Sequence, residues 1–212
     1  MSPFPVWPSR GLYLITPDEL DTSRLLARVG PLLALGVAVL QYRNKQAEPS
    51  QRRKQAQALL EISRDAGVPL IINDDWRLAA GIGADGAHLG ADDGELRGAR
   101  DALGPDAILG ASCYNELARA ERATAAGANY LAFGAFFESG TKPLARRADL
   151  SLLREARQLR LPTVAIGGIS PDNARSVLAA GADFLAVIGA VFDAPDPADA
   201  ARTLITCFEP TP

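Results

Sequence analysis

Residues 71–93 read IINDDWRLAAGIGADGAHLGADD. An aliphatic run ends in Asp74-Asp75, a short helical pattern follows, and a second apolar run ends just before Asp92-Asp93. This is a strand, a helix and a strand with almost no connecting chain. Strands joined by a crossover helix lie parallel. Parallel strands are buried on both faces, which is why these runs are apolar throughout instead of alternating.

The same unit repeats in both directions from this stretch. The strand candidates are LYLIT (12–16), VAVLQYR (37–43), PLIIND (69–74), GAHLG (86–90), AILGAS (107–112), YLAFGA (130–135), PTVAIGG (162–168) and FLAVIGA (184–190). Helical patterns lie between them. SQRRKQAQALLEISRDAG has apolar residues near a 3.6 spacing and stops at Gly67. SPDNARSVLAAG starts with Ser170 as cap and Pro171 at the first helical position, and stops at Gly181. Strict β/α alternation leaves a closed barrel or an open doubly wound sheet. Eight units of about 26 residues, with no Gly-x-Gly-x-x-Gly after the first strand, favour the barrel. The expectation is an α/β protein with a single (β/α)8 TIM barrel, one domain over residues 1–212. A weak internal echo supports it. IGADGAHLG (82–90), AGANYLAFGA (126–135) and AGADFLAVIGA (180–190) each join a helix end, a Gly-Ala turn and a strand.

The bulk numbers narrow the class of partner. Hydrophobic residues make up 48%, enough for a sizeable core, and 22% are charged, so disorder is not expected. A net charge of -3 argues against nucleic acid and against an anionic membrane surface. No run of about 18 uncharged apolar residues suggests a membrane span. The start of the chain lacks the basic and apolar regions of a signal peptide. Two distant cysteines, Cys113 and Cys207, suit a reducing cytoplasm. The first eight residues read as an extended lead-in and EPTP as a frayed tail.

In such barrels the active site lies at the carboxyl ends of the strands. That places Gln41, Arg43 and Lys45 at the end of strand two. Asn73 and Asp74-Asp75 end strand three, and His88 and Asp92-Asp93 end strand four. Ser112, Cys113 and Tyr114 end strand five, and the loop after strand six holds Ser139, Gly140, Thr141 and Lys142. Gly167-Gly168 follows strand seven and Ile188-Gly189 follows strand eight. Arg43 and Lys45, two residues apart, point the same way on an extended strand end and suit a phosphate or diphosphate; they could equally be surface charge. Asp74 and Asp93 end adjacent strands and could hold a divalent cation with positions left for phosphate oxygens. Each acidic pair could also cap the helix after it. The long basic loop at 138–149 reads as a lid over an anionic substrate. Gly167-Gly168 and Ile188-Gly189 read as the phosphate cradle common at strands seven and eight of these barrels, with plain turn chemistry as the alternative. A metal-diphosphate site and a separate phosphate cradle in one pocket point to group transfer with loss of diphosphate.

The motifs QYRNK, INDD, DGAHLGADD, GAS, TKP, AIGGIS and GADFLAVIGA stand in the order and spacing of the thiamine-phosphate synthase family, which this sequence resembles over nearly its whole length. The resemblance implies that a hydroxymethylpyrimidine diphosphate is joined to a thiazole phosphate to give thiamine monophosphate and diphosphate. It implies Mg2+ held by Asp74 and Asp93, with Asp75 and Asp92 beside them in support. Diphosphate would be held by Arg43, Lys45, Asn73 and Lys142, and the pyrimidine side by Gln41 and Ser112. The thiazole phosphate would lie among Ser139, Thr141, Gly168, Ile188 and Gly189. Arg43, Lys45, Lys142 and Ser112 would carry the catalysis. The partners are small-molecule substrates, and a homo-oligomer is left open. Three positions depart from the family: Ser139 where Thr is usual, Gly189 where Ser is usual, and Cys113-Tyr114 where a small residue and His are common. The last bears on a sister family of thiazole tautomerases, which relies on that His; this chain's single histidine is His88. A non-catalytic phosphate-binding barrel is the third reading, and retention of the acids argues against it.

Overall fold

A computed structural model describes residues 7–90, 96–138 and 147–209. The eight strands are β1 (Gly11–Ile15), β2 (Val39–Tyr42), β3 (Leu70–Asn73), β4 (Gly86–Leu89), β5 (Ile108–Tyr114), β6 (Tyr130–Phe133), β7 (Thr163–Ile166) and β8 (Phe184–Val187). Seven helices alternate with them: α1 (Thr22–Leu33), α2 (Pro49–Ala66), α3 (Trp76–Ile82), α4 (Leu96–Leu103), α5 (Leu117–Ala125), α6 (Ser151–Ala156) and α7 (Pro171–Ala180). Two more, α8 (Gly189–Phe192) and α9 (Pro197–Thr206), follow β8. Every strand pairs parallel with the next, and β1 pairs with β8, so the sheet closes into a barrel.

The predicted helix stops are where the chain needs them. Gly67 and Gly181 both take left-handed backbone, with φ of 68° and 115°. There they turn the last carbonyls of α2 and α7 back onto amide groups, which a residue with a Cβ does at a cost. At the start of α7, Ser170 donates its N–H to Asn173 Oδ1 at 3.0 Å.

The internal echo has a physical meaning. In each copy the polar residue just before the strand clasps the preceding strand by two bonds. Asp85 donates its N–H to Leu70 O and accepts from Leu70 N at 2.8 Å through Oδ2. Asn129 treats Leu109 in the same way, accepting at 2.7 Å, and Asp183 treats Thr163 likewise at 2.8 Å. The side chain extends the ladder one step below the first strand residue, so register is fixed where β4, β6 and β8 begin. Before β2 the equivalent residue is Ala38, which makes only the backbone half of the clasp, to Leu12 O.

Side chains alternate between two cores. Outward residues such as Leu12, Leu40, Leu70, Leu109, Leu131 and Leu185 pack under the helices. Inward residues, among them Tyr13, Val39, Ile71, Ile108, Tyr130, Val164 and Phe184, fill the barrel. Trp7 closes the end at which the strands start, stacked on Tyr130 at 4.8 Å and tilted against Phe184 at 5.1 Å. Gly110 is small because Tyr130 is large: a Cβ there would run into the phenol ring. The opposite end, where the strands finish, gathers the polar residues.

Candidate active site

Inward parity brings Gln41 from β2, Asn73 from β3, His88 from β4 and Ser112 from β5 to one side of the barrel mouth. Three of them join a polar chain that crosses the interior. Gln41 Nε2 donates to Tyr13 Oη at 2.8 Å, and Tyr13 Oη meets Tyr130 Oη at 2.7 Å. Tyr130 Oη meets His88 Nδ1 at 2.9 Å, and His88 Nε2 meets Ser112 Oγ at 2.9 Å. Burial pushes both phenols well above the usual tyrosine range, so they are neutral hydroxyls. Each hydroxyl gives one proton, and one arrangement consistent with the donation by Gln41 has Tyr13 giving to Tyr130, Tyr130 giving to His88 Nδ1, and the His88 proton on Nε2 directed at Ser112 Oγ. In that arrangement Ser112 keeps its own proton for a ligand. His88 thus reads as a hydrogen-bonded strand-end residue that orients Ser112.

The end of β2 is clamped from both sides. Thr16 Oγ1 donates to Arg43 O and accepts from Arg43 N, both at 2.8 Å. Asp18 accepts from Lys45 N at 2.8 Å and pairs with the Arg43 guanidinium at 3.1 Å. From the outer side, Asn44 spends its whole amide. Nδ2 donates to Glu19 O at 2.7 Å and Gln55 Oε1 at 3.0 Å, while Oδ1 accepts from Gln46 N and Ala47 N. Tyr42 Oη donates to Gln55 Oε1 at 2.8 Å. This bracket fixes the backbone that carries Arg43 and Lys45. Sequence reading passed over Thr16, Asp18 and Asn44. An acid just beyond the first strand, in ITPDEL, was the available signal for Asp18.

The Asp74-Asp75 pair divides its labour. Asp75 accepts from Leu78 N at 2.8 Å and caps α3. Asp74 takes left-handed backbone at φ 64° and directs its carboxylate to Lys45 Nζ at 3.6 Å. An acid in that conformation is uncommon, and such strain gathers at functional positions. The Asp74 carboxylate is therefore not spent on the helix, and its hard oxygen donors fit a divalent cation. Among the described residues there is no group of three or more metal-ligating side chains. Asp92 and Asp93 lie outside the described residues, as do Ser139, Gly140, Thr141 and Lys142.

At the far side of the mouth, the glycine pair has a different local cause from the one expected. A Cβ on Gly168 would meet the Glu138 carbonyl, and one on Gly167 would meet Ala135. The close neighbour is the chain leaving β6, held by Phe136 N to Ile166 O at 3.2 Å and Phe137 N to Gly167 O at 3.0 Å. Gly168 and Ile188-Gly189 nevertheless stand at adjacent strand ends, and the four-residue α8 starts at Gly189. A Cβ on Gly189 would approach Asp193 Oδ2 at 2.6 Å, so that side chain occupies the space beside the missing Ser. Tyr114 takes φ 53°, is exposed, and carries Arg119 over its ring at 5.2 Å. Cys113 is fully buried, and burial pushes its thiol up to about 12. No helix among the described residues is long and apolar enough to cross a membrane.

Comparison with known proteins agrees with this geometry. Residues 12–191 match the family model described as thiamine monophosphate synthase. A thiamine-phosphate synthase of Methylobacillus flagellatus is 58% identical over 189 residues, 89% of this chain and 90% of that protein. One from Methylococcus capsulatus is 54% identical over 95% of this chain and 91% of its own. The solved thiamine phosphate pyrophosphorylase from Pyrococcus furiosus superposes with a TM-score of 0.84 at 34% identity, covering 94% of this chain and 95% of that one. A 3-hexulose-6-phosphate synthase shares the fold alone, at 19% identity and a TM-score of 0.70. With a family model spanning most of the barrel and relatives above half identity over nearly the whole length, the chain belongs to the thiamine monophosphate synthase family.

Proposed function

We propose that this barrel condenses a hydroxymethylpyrimidine diphosphate with a thiazole phosphate, a transferase reaction yielding thiamine monophosphate and diphosphate. The observation that carries the site assignment is the pairing at β2 and β3. Lys45 stands beside Asp74, a carboxylate released from capping duty by its neighbour Asp75, and Arg43, two residues before Lys45, pairs with Asp18.

In the reaction the bond between the pyrimidine methylene carbon and the ester oxygen breaks. Its electron pair leaves on the diphosphate, and the methylene is left as a cation delocalised into the aminopyrimidine. The thiazole nitrogen then donates its lone pair to that carbon and the new C–N bond forms. No protein nucleophile is required. The residues serve by neutralising the leaving group and holding two substrates in line. Arg43 and Lys45 exchange their carboxylate partners, Asp18 and Asp74, for diphosphate oxygens. Asn73, on the inward face, adds an amide donor. Gln41 and Ser112 orient the pyrimidine, with Ser112 set by the Tyr13–Tyr130–His88 chain. The buried barrel wall keeps water from the carbon cation.

Mg2+, with Asp74 and Asp93 as its protein ligands, would neutralise the diphosphate as it departs. Lys142, Ser139 and Thr141 are assigned to closing the site over the two phosphate groups. Gly168, Ile188 and Gly189 are assigned to the thiazole phosphate.

The test is direct. Purified protein given both substrates and Mg2+ is expected to release diphosphate and thiamine monophosphate in equal amounts. Isomerisation of the thiazole phosphate with no diphosphate released would assign the chain to tautomerase chemistry instead.

A further inference from the structure

Trp7 enters the barrel at the end where the strands start and packs against the inward core. Its indole lies flat on the Tyr130 ring, with centroids 4.8 Å and planes 9° apart, and tilts against Phe184. Tyr130 begins β6 at this lower end, yet its hydroxyl reaches His88 Nδ1 on β4 at 2.9 Å. The phenol gets there by passing over Gly110, where a Cβ would run into it. Its hydroxyl is held by Tyr13 and His88. Bonds at that one atom leave the ring free to rock about it, so the tilt is set by the surfaces the ring rests on. Gly110 and Trp7 supply those surfaces. The His88 ring runs nearly parallel to the phenol, 21° off with centroids 5.5 Å apart, and its Nε2 meets Ser112 Oγ at 2.9 Å. Trp7 Nε1 is buried and makes no hydrogen bond. A buried unpaired donor lowers stability, a cost that a plain apolar plug such as Leu would not carry. The indole therefore contributes through its flat ring, whose stacking on Tyr130 a branched aliphatic chain cannot supply.

We propose that Trp7 is a positioning residue for the reaction, holding Tyr130 at the angle from which, through His88, Ser112 Oγ is set toward the pyrimidine. The inference rests on the assignment of the pyrimidine to Gln41 and Ser112. Both of those contacts hang on the same ring. Tyr130 Oη meets Tyr13 Oη, which accepts from Gln41 Nε2, and it meets His88 Nδ1, whose ring leads on to Ser112. The interior is close-packed, so space opened beneath Tyr130 is felt as displacement of the groups bonded above it. The series runs through β1, β2, β4, β5 and β6. The thiazole phosphate is assigned to the ends of β7 and β8, so the substrate that Trp7 governs is the pyrimidine.

The experiment compares the two substrates. KM values for the pyrimidine diphosphate and the thiazole phosphate, with Mg2+ present, are measured on the parent protein and on Trp7→Leu, Trp7→Phe and Ser112→Ala. The same proteins, labelled with 15N, report the imidazole signals of the single histidine. Trp7→Leu is expected to raise the KM for the pyrimidine diphosphate roughly tenfold, to leave that for the thiazole phosphate within about twofold, and to shift the His88 signals. Trp7→Phe keeps a flat ring and drops the unpaired donor, so it should restore the parent KM and signals. Thermal unfolding confirms that each variant is folded, and Trp7→Met, an unbranched apolar filler, takes the place of Trp7→Leu should that variant fail to fold. A ring that only plugs the barrel would, on replacement by Leu, lower Tm and leave both KM values and the His88 signals unchanged. That result overturns the proposal, as does an equal loss for both substrates. A pyrimidine KM that Ser112→Ala leaves unaffected would instead refute the assignment of the pyrimidine to Ser112.

Discussion

The phenol pair in the barrel interior allows a quantitative test by a double-mutant cycle. Tyr13→Phe removes the acceptor of Gln41 Nε2 and one partner of Tyr130. Tyr130→Phe removes the partner of His88 Nδ1 and one partner of Tyr13. Both side chains are fully buried, so orphaned groups find no solvent. A buried polar group left without its partner costs about 1–3 kcal/mol, so each single change is expected to cost about 2 kcal/mol. For a chain of this size that is a fall in Tm of roughly 4–8 °C. The double variant removes the shared phenol–phenol bond once, while the two singles each count it. Its cost should therefore fall short of their sum by about 1 kcal/mol. Urea unfolding followed by tyrosine and tryptophan fluorescence and by circular dichroism measures all four proteins, with coincident transitions required. Strict additivity would show that the two hydroxyls do not share a bond, and the oriented chain from Gln41 to Ser112 would fall with it. The single histidine gives a second readout. Its imidazole nitrogens in a 15N spectrum should report the proton on Nε2 in the parent protein.

The two acids after β3 should separate cleanly. Asp75→Ala is expected to cost about 1 kcal/mol of stability through loss of the α3 cap with turnover largely retained, whereas Asp74→Asn should leave unfolding unchanged and lower Mg2+-dependent turnover at least about a hundredfold. Unfolding curves and initial rates on the same preparations check both halves. Glu19 is held down to about 2 by the Arg24 guanidinium and the Asp21 N–H. A lowered carboxyl pKa stabilises the fold above the ordinary value near 4.5 and ceases to do so as pH falls toward 2. Glu19→Gln should therefore remove on the order of 1 kcal/mol at pH 6, after screening around the exposed Arg24, and almost none at pH 2, as read by urea titration at both values. Cys113, fully buried with its thiol pushed up to about 12, should resist a thiol reagent at pH 8 in the native protein and react on unfolding, while Cys207 supplies the comparison.

The strands were readable because burial on both faces writes itself into consecutive aliphatic residues. LYLIT and PLIIND fall within a residue of β1 and β3, and FLAVIGA starts with β8 and overruns its end by three residues. The Asp74-Asp75 pair was readable as an ambiguity, metal ligand or cap, and backbone conformation was needed to divide it. The glycine pair after β7 was readable as a close approach, but its neighbour was not; only the fold shows the chain from β6 filling that space. Least visible was the link from Tyr13 to Tyr130, 117 residues apart, because nothing local marks two tyrosines whose hydroxyls meet at the barrel centre. Asp18 and Asn44 escaped for a similar reason. Their work is on the backbone of Lys45 and its neighbours, and side chain-to-backbone bonds leave no pattern in a sequence.

The polar clasps of Asp85, Asn129 and Asp183 each span 15 or 20 residues and tie an even strand to the odd strand just before it. No such side-chain tie is recorded among the described residues from β2 to β3, β4 to β5 or β6 to β7. The ring of eight is in this sense a row of couplets, three of them stitched by a side-chain contact local in sequence and the first, β1–β2, by the Ala38 backbone alone. A chain interrupted at Gly104-Pro105, between α4 and β5, would sever no stitch. The two halves would each keep their own couplets and need only the long seams to meet.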